Sequence, residues 1–262
     1  MKFKTLDEHR TYLHEIVKLK LFFIHLWLEK HPEESFAYVI RERVDIYRKT
    51  AANPGRLNPE QTYFDQDPWL AMERETEQLY KKYRNDRAAF ERHAFEVFRD
   101  SINARAERDY ADSSVLSRYQ CGSLKHDEET APDGTIQFHI ANAVQPESIF
   151  SVPGHLESCF RRLLDIVEKI YGAKEIATHT WLNSCPKWLA LFPQEWQDNL
   201  SAPKEDSRWW YSFWGQYITS RGTFNFKYGN ILRETGQHPF LPRGSHCSIA
   251  AMRKKLDETA EK

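Results

Sequence analysis

The stretch Thr178–Pro193, which reads THTWLNSCPKWLALFP, changes from one type of secondary structure to another. Its first part is rich in β-branched and aromatic residues, which favours a strand, and Pro186 is suited to the first turn of a helix. Side chains alternate across a strand, so Ala177, His179 and Trp181 are expected on one face. The stretch therefore predicts an inner strand whose histidine and tryptophan border a pocket, closed by a short helix that runs to the next proline.

Strand and helix patterns alternate on both sides of this stretch, which predicts an α/β arrangement for the C-terminal half. The strand-like segments are Thr135–Ala143, Lys174–Leu182, Arg208–Thr219 and Leu241–Ser248. The helical segments are His155–Gly172, Phe224–Gly236 and Ile249–Glu258.

The N-terminal half has the apolar spacing of helices instead. Thr5 and Glu8 form a capping-box pattern before a predicted helix Leu6–Lys30, and a second helix is predicted for Pro32–Lys49. A third begins at Asp67 and Pro68, and the fourth places its apolar face along Phe90–Ile102. We therefore predict an α+β protein: a helical bundle over residues 1–110, a linker or loop over 111–134, and an α/β domain with a mixed sheet over 135–262.

Charge and hydropathy limit the partners. The 37 basic and 38 acidic residues are well mixed and leave a net charge of −1, which disfavours nucleic acid and anionic membranes. The longest apolar run, Leu21–Leu28, is too short to span a membrane, and the N-terminus lacks the apolar centre of a signal peptide. We expect a cytoplasmic protein with a small-molecule substrate; the sequence does not decide whether it forms a homo-oligomer.

Three histidines fall inside predicted strands: His139, His179 and His246. Imidazole titrates near neutral pH and is also a common metal ligand, so three such groups meeting at one cavity predict either proton transfer or metal binding. The chain contains neither Glu-x-x-His nor His-Glu-x-x-His, which leaves a site built from these three histidines as the one metal hypothesis.

Other motifs are weaker. There is no Gly-x-Ser-x-Gly and no glycine-rich phosphate loop, although the turn around Arg221 offers a cation and free amides to a phosphate. Tryptophans crowd between residues 181 and 214 and suit the wall of an apolar pocket with a few polar groups. The candidate substrate-binding residues are Trp181, Asn183, Trp214 and Arg221.

Four segments of the C-terminal half resemble the C-terminal domain of the GNAT-like acyltransferase family. They are FHIAN at Phe138–Asn142, THTWLN at Thr178–Asn183, WLALFP at Trp188–Pro193 and LPRGSHCSIAAMRKKL at Leu241–Leu256. The family has an H-I-P element, a C-H-S-W-L-L strand, an L-x-x-L-L-P helix and a late L-P-x-x-T-x-L-x-x-A segment in this order. The resemblance covers roughly half of the chain.

This resemblance implies acyl transfer from a thioester donor, such as acyl-coenzyme A, to an amine or similar acceptor. His179 then becomes the expected general base, and main-chain amides beside a splayed strand would stabilise the oxyanion. The chain departs from the family at Ala141, where the family has proline, and at Asn183, where it has leucine. It also lacks the Q/R-x-x-G-x-G/A loop that binds the pyrophosphate of coenzyme A.

Three functional hypotheses follow from the sequence. The first is an acyltransferase-like enzyme with a thioester donor. The alternative is a histidine-based metalloenzyme, an oxygenase or a hydrolase, that acts on a small apolar substrate. The third is a non-catalytic protein for small-molecule binding or assembly, in which the histidines are structural.

Overall fold

The computed structural model describes residues 4–54, 62–112 and 120–260. The α-helices of these residues are α1 (Leu6–Lys30), α2 (Phe36–Tyr38), α3 (Trp69–Lys82), α4 (Arg87–Ala111), α5 (His155–Tyr171), α6 (Pro186–Leu189), α7 (Gln194–Asp198), α8 (Tyr211–Trp214), α9 (Phe226–Thr235) and α10 (Ile249–Ala260). The strands are β1 (Leu124–His126), β2 (Thr135–Ile140), β3 (Glu175–Thr180) and β4 (Arg243–Ser248). The predicted α+β class with a mixed sheet is confirmed.

The chain divides into two compact units, and each contains two separate segments of sequence. The helical unit comprises Met1–Asp112 and Asp206–Pro239, and the α/β unit comprises Ser113–Glu205 and Phe240–Lys262. Residues 206–239 thus belong with the N-terminal helices, whereas the sequence-based division assigned them to the α/β half. The residues predicted as a linker, 111–134, include the first strand of the sheet.

The helical unit is organised around α1, whose predicted bounds are confirmed. Thr5 Oγ1 accepts a hydrogen bond from the Glu8 amide, and the Glu8 carboxylate accepts one from the Thr5 amide at 2.7 Å. This capping box satisfies two amides that the first helical turn leaves without partners. Apolar side chains of α1 and α4 then meet in the core of the unit, among them Ile16, Ile24 and Phe98.

The helix predicted for Pro32–Lys49 is wrong, because the chain breaks into shorter turns. α2 continues as a π-helical turn, Val39–Arg43, and a 3-10 turn follows at Tyr47–Lys49. Between them, the Asp45 carboxylate accepts a hydrogen bond from the Arg48 amide at 3.2 Å and so starts a new turn. Asp side chains compete in this way with a continuous helix.

The strand predicted for Arg208–Thr219 is also wrong, because this aromatic segment forms α8 and a 3-10 turn at Gly215–Tyr217. The Tyr211 ring packs over Gly215, where a Cβ atom would lie 2.6 Å from the ring, and this i to i+4 spacing is the one at which side chains meet on a helix. Aromatic content alone therefore predicted the wrong element.

In the α/β unit, the four strands form one sheet in the order β1-β2-β3-β4. β2 and β3 are parallel and are connected through α5, whereas β1–β2 and β3–β4 are antiparallel. Gly172 ends α5 in the left-handed conformation that a C-terminal cap favours. The strands predicted for Thr135–Ala143, Lys174–Leu182 and Leu241–Ser248 are confirmed in position, although each is shorter.

The two faces of this sheet differ in burial. Ile136, Phe138, Ile176 and Cys247 are fully buried and pack, with α5 and α10, in the core of the unit. The opposite face carries polar side chains that are partly exposed. This alternation follows the two-residue period of a strand and leaves one side of the sheet available to a ligand.

None of the helices in the described part of the chain combines the length and apolar character needed to cross a membrane.

Candidate functional site

A groove of about 410 Å³ runs along the polar face of the sheet in the α/β unit. Its floor is formed by side chains from three adjacent strands, and its sides are formed by the loops before β2 and after α7. The floor residues that matter most for chemistry are Gln137, Ala177, His179, Gly244 and His246. The groove is therefore the candidate site, and it contains two of the three histidines that were predicted to meet, His179 and His246.

Strand register brings the three predicted histidines to the same face of the sheet. His179 pairs directly with Gly244, and His246 pairs directly with Ala177. His139 lies two residues beyond Gln137, which pairs with Ala177 in the parallel ladder. Directly paired residues share a face, as do residues two apart, so all three imidazoles lie on the polar face.

Two of the strands that form the floor of the groove, β2 and β3, are paired over only part of their length. The parallel ladder between β2 and β3 has three pairs and stops at Gln137 and Ala177, although the strands continue to Ile140 and Thr180. Beyond this point β2 pairs with β1, and β3 pairs with β4. His179 lies on β3 within the diverging part.

His179 is held in a partly desolvated position. Burial, together with the nearby Lys204 ammonium, lowers the pKa of His179 below its usual value. A Cβ atom at Gly244 would lie 3.7 Å from His179 Cδ2 and 3.7 Å from Ser201 Oγ. The absence of a side chain at position 244 therefore leaves room for a methyl-sized group between His179 and Ser201 at the floor of the groove.

His246 is held differently, through a carboxylate. Its Nδ1 lies 2.8 Å from Glu175 Oε2, and since a carboxylate only accepts, Nδ1 carries the hydrogen of this bond. Among the described residues, no group hydrogen-bonds to Nε2, which is the ring nitrogen left for a ligand.

Asp133 also lines the groove. The Thr135 amide donates a hydrogen bond of 2.9 Å to the Asp133 carboxylate and lowers its pKa.

His139 shares the polar face but does not line the groove. Its Nε2 lies 2.8 Å from Asp127 Oδ1, and both side chains are about half exposed. The structure thus brings two of the three predicted histidines to one groove and leaves the third beside it, in an exposed ion pair.

One side of the groove is formed by a segment that the sequence patterns did not single out. The Ser201 amide donates to the Gly244 carbonyl at 2.9 Å, and Ser201 Oγ accepts from the Gly244 amide at 2.9 Å. Asn199 Nδ2 donates to the His246 carbonyl at 3.3 Å. The segment covers the outer edge of β4, a role that no local sequence pattern predicted.

Asn183 lies in the core instead of the groove. It is fully buried, and its Nδ2 group donates to the Thr178 and Arg243 carbonyls at 3.1 and 2.8 Å. Its Oδ1 accepts from the indole nitrogens of Trp188 and Trp196 at 3.0 and 3.3 Å. Because the side-chain amide of Asn183 bonds to protein groups through both its nitrogen and its oxygen, we assign Asn183 a structural role in place of the predicted substrate contact.

The other predicted substrate-binding residues also lie outside the groove lining. Trp181 is half-buried and packs on Phe240, with ring centroids 5.8 Å apart. Trp214 and Arg221 belong to the helical unit. Trp214 is buried there and its indole donates to the Arg43 carbonyl at 3.1 Å, while Arg221 lies in an exposed turn.

The metal hypothesis finds no geometric support. Over residues 4–54, 62–112 and 120–260, no three histidine, cysteine or acidic side chains are arranged so that they could hold a metal ion. Two of the three histidines instead have a carboxylate partner through one ring nitrogen.

Comparison with known proteins finds no matching family model, no matching curated protein and no matching solved structure.

Proposed function

We propose that the groove is the active site of an acyltransferase that moves an acyl group from a thioester donor to a small-molecule acceptor in the cytoplasm. The observation that carries this proposal is the position of His179, an imidazole of lowered pKa that lines the groove directly opposite Gly244. The resemblance of Phe138–Asn142 and Thr178–Asn183 to acyltransferase segments supplies the reaction class.

His179 is suited to the role of general base. A base must be unprotonated when the acceptor binds, and the lowered pKa keeps the imidazole neutral around neutral pH. The acceptor then loses a proton to His179 as it attacks the thioester carbonyl. The space above Gly244 receives the reacting carbon, because no side chain occupies it.

The divergence of β2 and β3 supports the second requirement of acyl transfer, stabilisation of the oxyanion. Beyond Gln137 and Ala177 the strands no longer pair with each other, so an oxyanion bound between them would lie next to the main chain of both strands. Main-chain amides held next to an oxyanion stabilise its developing negative charge, typically by about 3 kcal/mol for each donor.

Acyl-coenzyme A is one candidate donor, and a smaller acyl-thioester is the other. Because the chain lacks the pyrophosphate loop of the resembling family, we expect the acyl and thiol portions of the donor to supply most of the affinity. A ligand that binds the folded state raises its apparent stability by mass action, so donor binding can be measured without knowing the acceptor.

The test is thiol release from acetyl-coenzyme A and from acetyl-N-acetylcysteamine, with hydroxylamine as a general acceptor. The wild type should release thiol, and His179→Gln should lose about 100-fold or more of this activity. His139→Gln is the matched control, since His139 lies on the same face outside the groove. Stabilisation by either thioester without any thiol release would instead indicate a binding protein, and the absence of both effects would overturn the proposal.

A further inference from the structure

The groove holds a second imidazole in an arrangement unlike that of His179. His246 lies on β4, and Glu175, its carboxylate partner, lies on the adjacent strand β3. The bond of 2.8 Å to Nδ1 favours one orientation of the ring, which is 46% exposed, and leaves Nε2 as the nitrogen that a ligand can reach. A carboxylate that orients a histidine through Nδ1 is a recurring device for proton transfer at Nε2.

The sheet register makes both imidazoles neighbours of Gly244, one across the strand pair and one along the same strand. His179 is directly opposite Gly244, and His246 is two residues further along the same face of β4. Diagonal neighbours of this kind are typically about 7–8 Å apart. A tetrahedral carbon above Gly244 would therefore have one imidazole near its entering atom and the other near its leaving atom.

We propose that His246 is a catalytic residue that protonates the leaving sulfur, and that Glu175 is the positioning residue that holds it. This inference rests on the proposed acyl transfer. The acceptor atom forms a bond to the acyl carbon and gives its proton to His179. The carbon–sulfur bond breaks and its electron pair remains on sulfur. His246 acts in its imidazolium form, with Nδ1–H bonded to Glu175 and a second proton on Nε2, and transfer of the Nε2 proton converts the thiolate to a thiol and leaves the neutral ring. Exchange with water then removes the proton held by His179 and restores the one lost by His246. Glu175 keeps the hydrogen bond to Nδ1 throughout.

The need for this proton depends on the leaving group. A loss of proton donation by His246 can therefore be distinguished from a general loss of activity. An alkyl thiolate is a strong base and benefits from protonation, whereas a nitro-substituted aryl thiolate leaves readily without it. General acid catalysis typically contributes about 100- to 10,000-fold. A residue that only shapes the groove would affect both donors alike.

The experiment measures kcat/KM with hydroxylamine as acceptor and two donors, acetyl-coenzyme A and the acetyl thioester of nitrothiophenol. For His246→Gln we expect a loss of about 100-fold or more with the alkyl donor and little change with the aryl donor. His179→Gln should slow both donors similarly, because the acceptor proton must be removed in either case. Equal losses for both donors in His246→Gln, or no loss with either, would overturn the proposal.

Glu175→Gln tests the positioning role, because it preserves the size of the side chain and removes its charge. We expect the same dependence on the leaving group, with a smaller loss than in His246→Gln and an almost unchanged KM. Nitrogen NMR of the His246 ring reports the arrangement independently: Nδ1 should carry the proton of the neutral ring in the wild type, and this preference should weaken in Glu175→Gln. An unchanged tautomer together with unchanged kinetics would remove Glu175 from the mechanism.

Asp127→Asn and His139→Gln are the matched controls, because they change the same kind of ion pair on the same face but outside the groove. Neither should alter the ratio of rates for the two donors. If the wild type releases thiol but His246→Gln leaves the ratio of rates for the two donors unchanged, His246 does not protonate the leaving sulfur, while the proposed acyl transfer stands. If the wild type releases no thiol from either donor, both proposals fail together.

Discussion

His179 and Gly244 lie directly opposite each other on β3 and β4, and the missing side chain at position 244 keeps the space beside the imidazole open. A methyl group there would make ordinary van der Waals contacts at 3.7 Å with His179 and Ser201. Larger side chains would extend into the groove. Position 244 should therefore control access to His179 without being essential for folding.

We predict that Gly244→Ala keeps the fold and most of the acyl-transfer activity, whereas Gly244→Leu keeps the fold and loses the activity. The reason is steric, because a leucine side chain fills the space assigned to the reacting carbon. Thermal unfolding and thiol release measured on both variants check the prediction. A leucine variant with wild-type activity would show that the reaction takes place elsewhere.

The pH dependence of His179 should respond to Lys204. Burial and the Lys204 ammonium both disfavour the imidazolium, so the pKa of His179 is lowered and the neutral base persists as the pH falls below its usual titration range. Lys204→Met removes the positive charge, so the pKa should rise and the acidic limb of the activity profile should move to higher pH. Proton NMR of the His179 ring measures the same change without a substrate.

Lys187→Met is a suitable control, since Lys187 is an exposed lysine on α6 of the same unit that does not contribute to the shift at His179. It should leave the titration of His179 unchanged. A shift of equal size in both variants would mean that overall charge, and not the proximity of Lys204, sets the pKa.

Local sequence patterns correctly predicted the secondary-structure elements whose position depends on residues close together in the sequence. The capping box at Thr5 and Glu8 and the apolar period of α1 are local features, and the bounds of α1 follow from them. Strand alternation likewise predicted that Ala177 and His179 share a face of β3, although Trp181, expected on the same face, lies in a 3-10 turn after the strand ends. That two of the three histidines share one groove depends on strand order and register, which are long-range properties.

Two of the mistaken predictions, the strand at Arg208–Thr219 and the substrate contact at Asn183, failed because of long-range contacts. The aromatic segment Arg208–Thr219 has strand-like composition, yet its helical turn is fixed by contacts such as Trp214 with the distant Arg43 carbonyl. Asn183 looked like a polar group at a pocket because it follows a strand. Its partners, Trp188 and Trp196, come from two later helices whose position no local pattern reveals.

Asn183→Ala should strongly destabilise the α/β unit. The substitution leaves two indole N–H groups and two main-chain carbonyls of the core without their partner. Leaving one buried polar group unpaired costs about 1–3 kcal/mol, so we expect a loss of about 3 kcal/mol or more in the free energy of unfolding. Urea unfolding measures this loss. Asn230→Ala, at an exposed position on α9, should change the stability by well under 1 kcal/mol.

The helical unit contains a buried histidine that should make its stability depend on pH. His238 Nδ1 lies 2.7 Å from Tyr217 Oη, its Nε2 lies 3.2 Å from Ser207 Oγ, and aromatic rings including Phe23 and Trp214 surround it. Burial lowers the pKa of His238 to about 3. The folded protein therefore keeps this imidazole neutral at pH values where the unfolded chain, with a pKa of about 6.5, binds a proton.

The sign of the effect follows from proton binding. Between about pH 6.5 and pH 3 the unfolded state binds one more proton at His238, so the stabilisation is complete above pH 6.5 and is lost as the pH falls. The loss should approach about 1.4 kcal/mol for each pH unit. His238→Gln can still hydrogen-bond with Tyr217 and Ser207 but does not titrate. Urea unfolding at pH 7, 6, 5 and 4 should show a shallower decline in the free energy of unfolding for His238→Gln than for the wild type, since the other titrating groups are common to both proteins. Parallel declines would mean that His238 is protonated in the folded state.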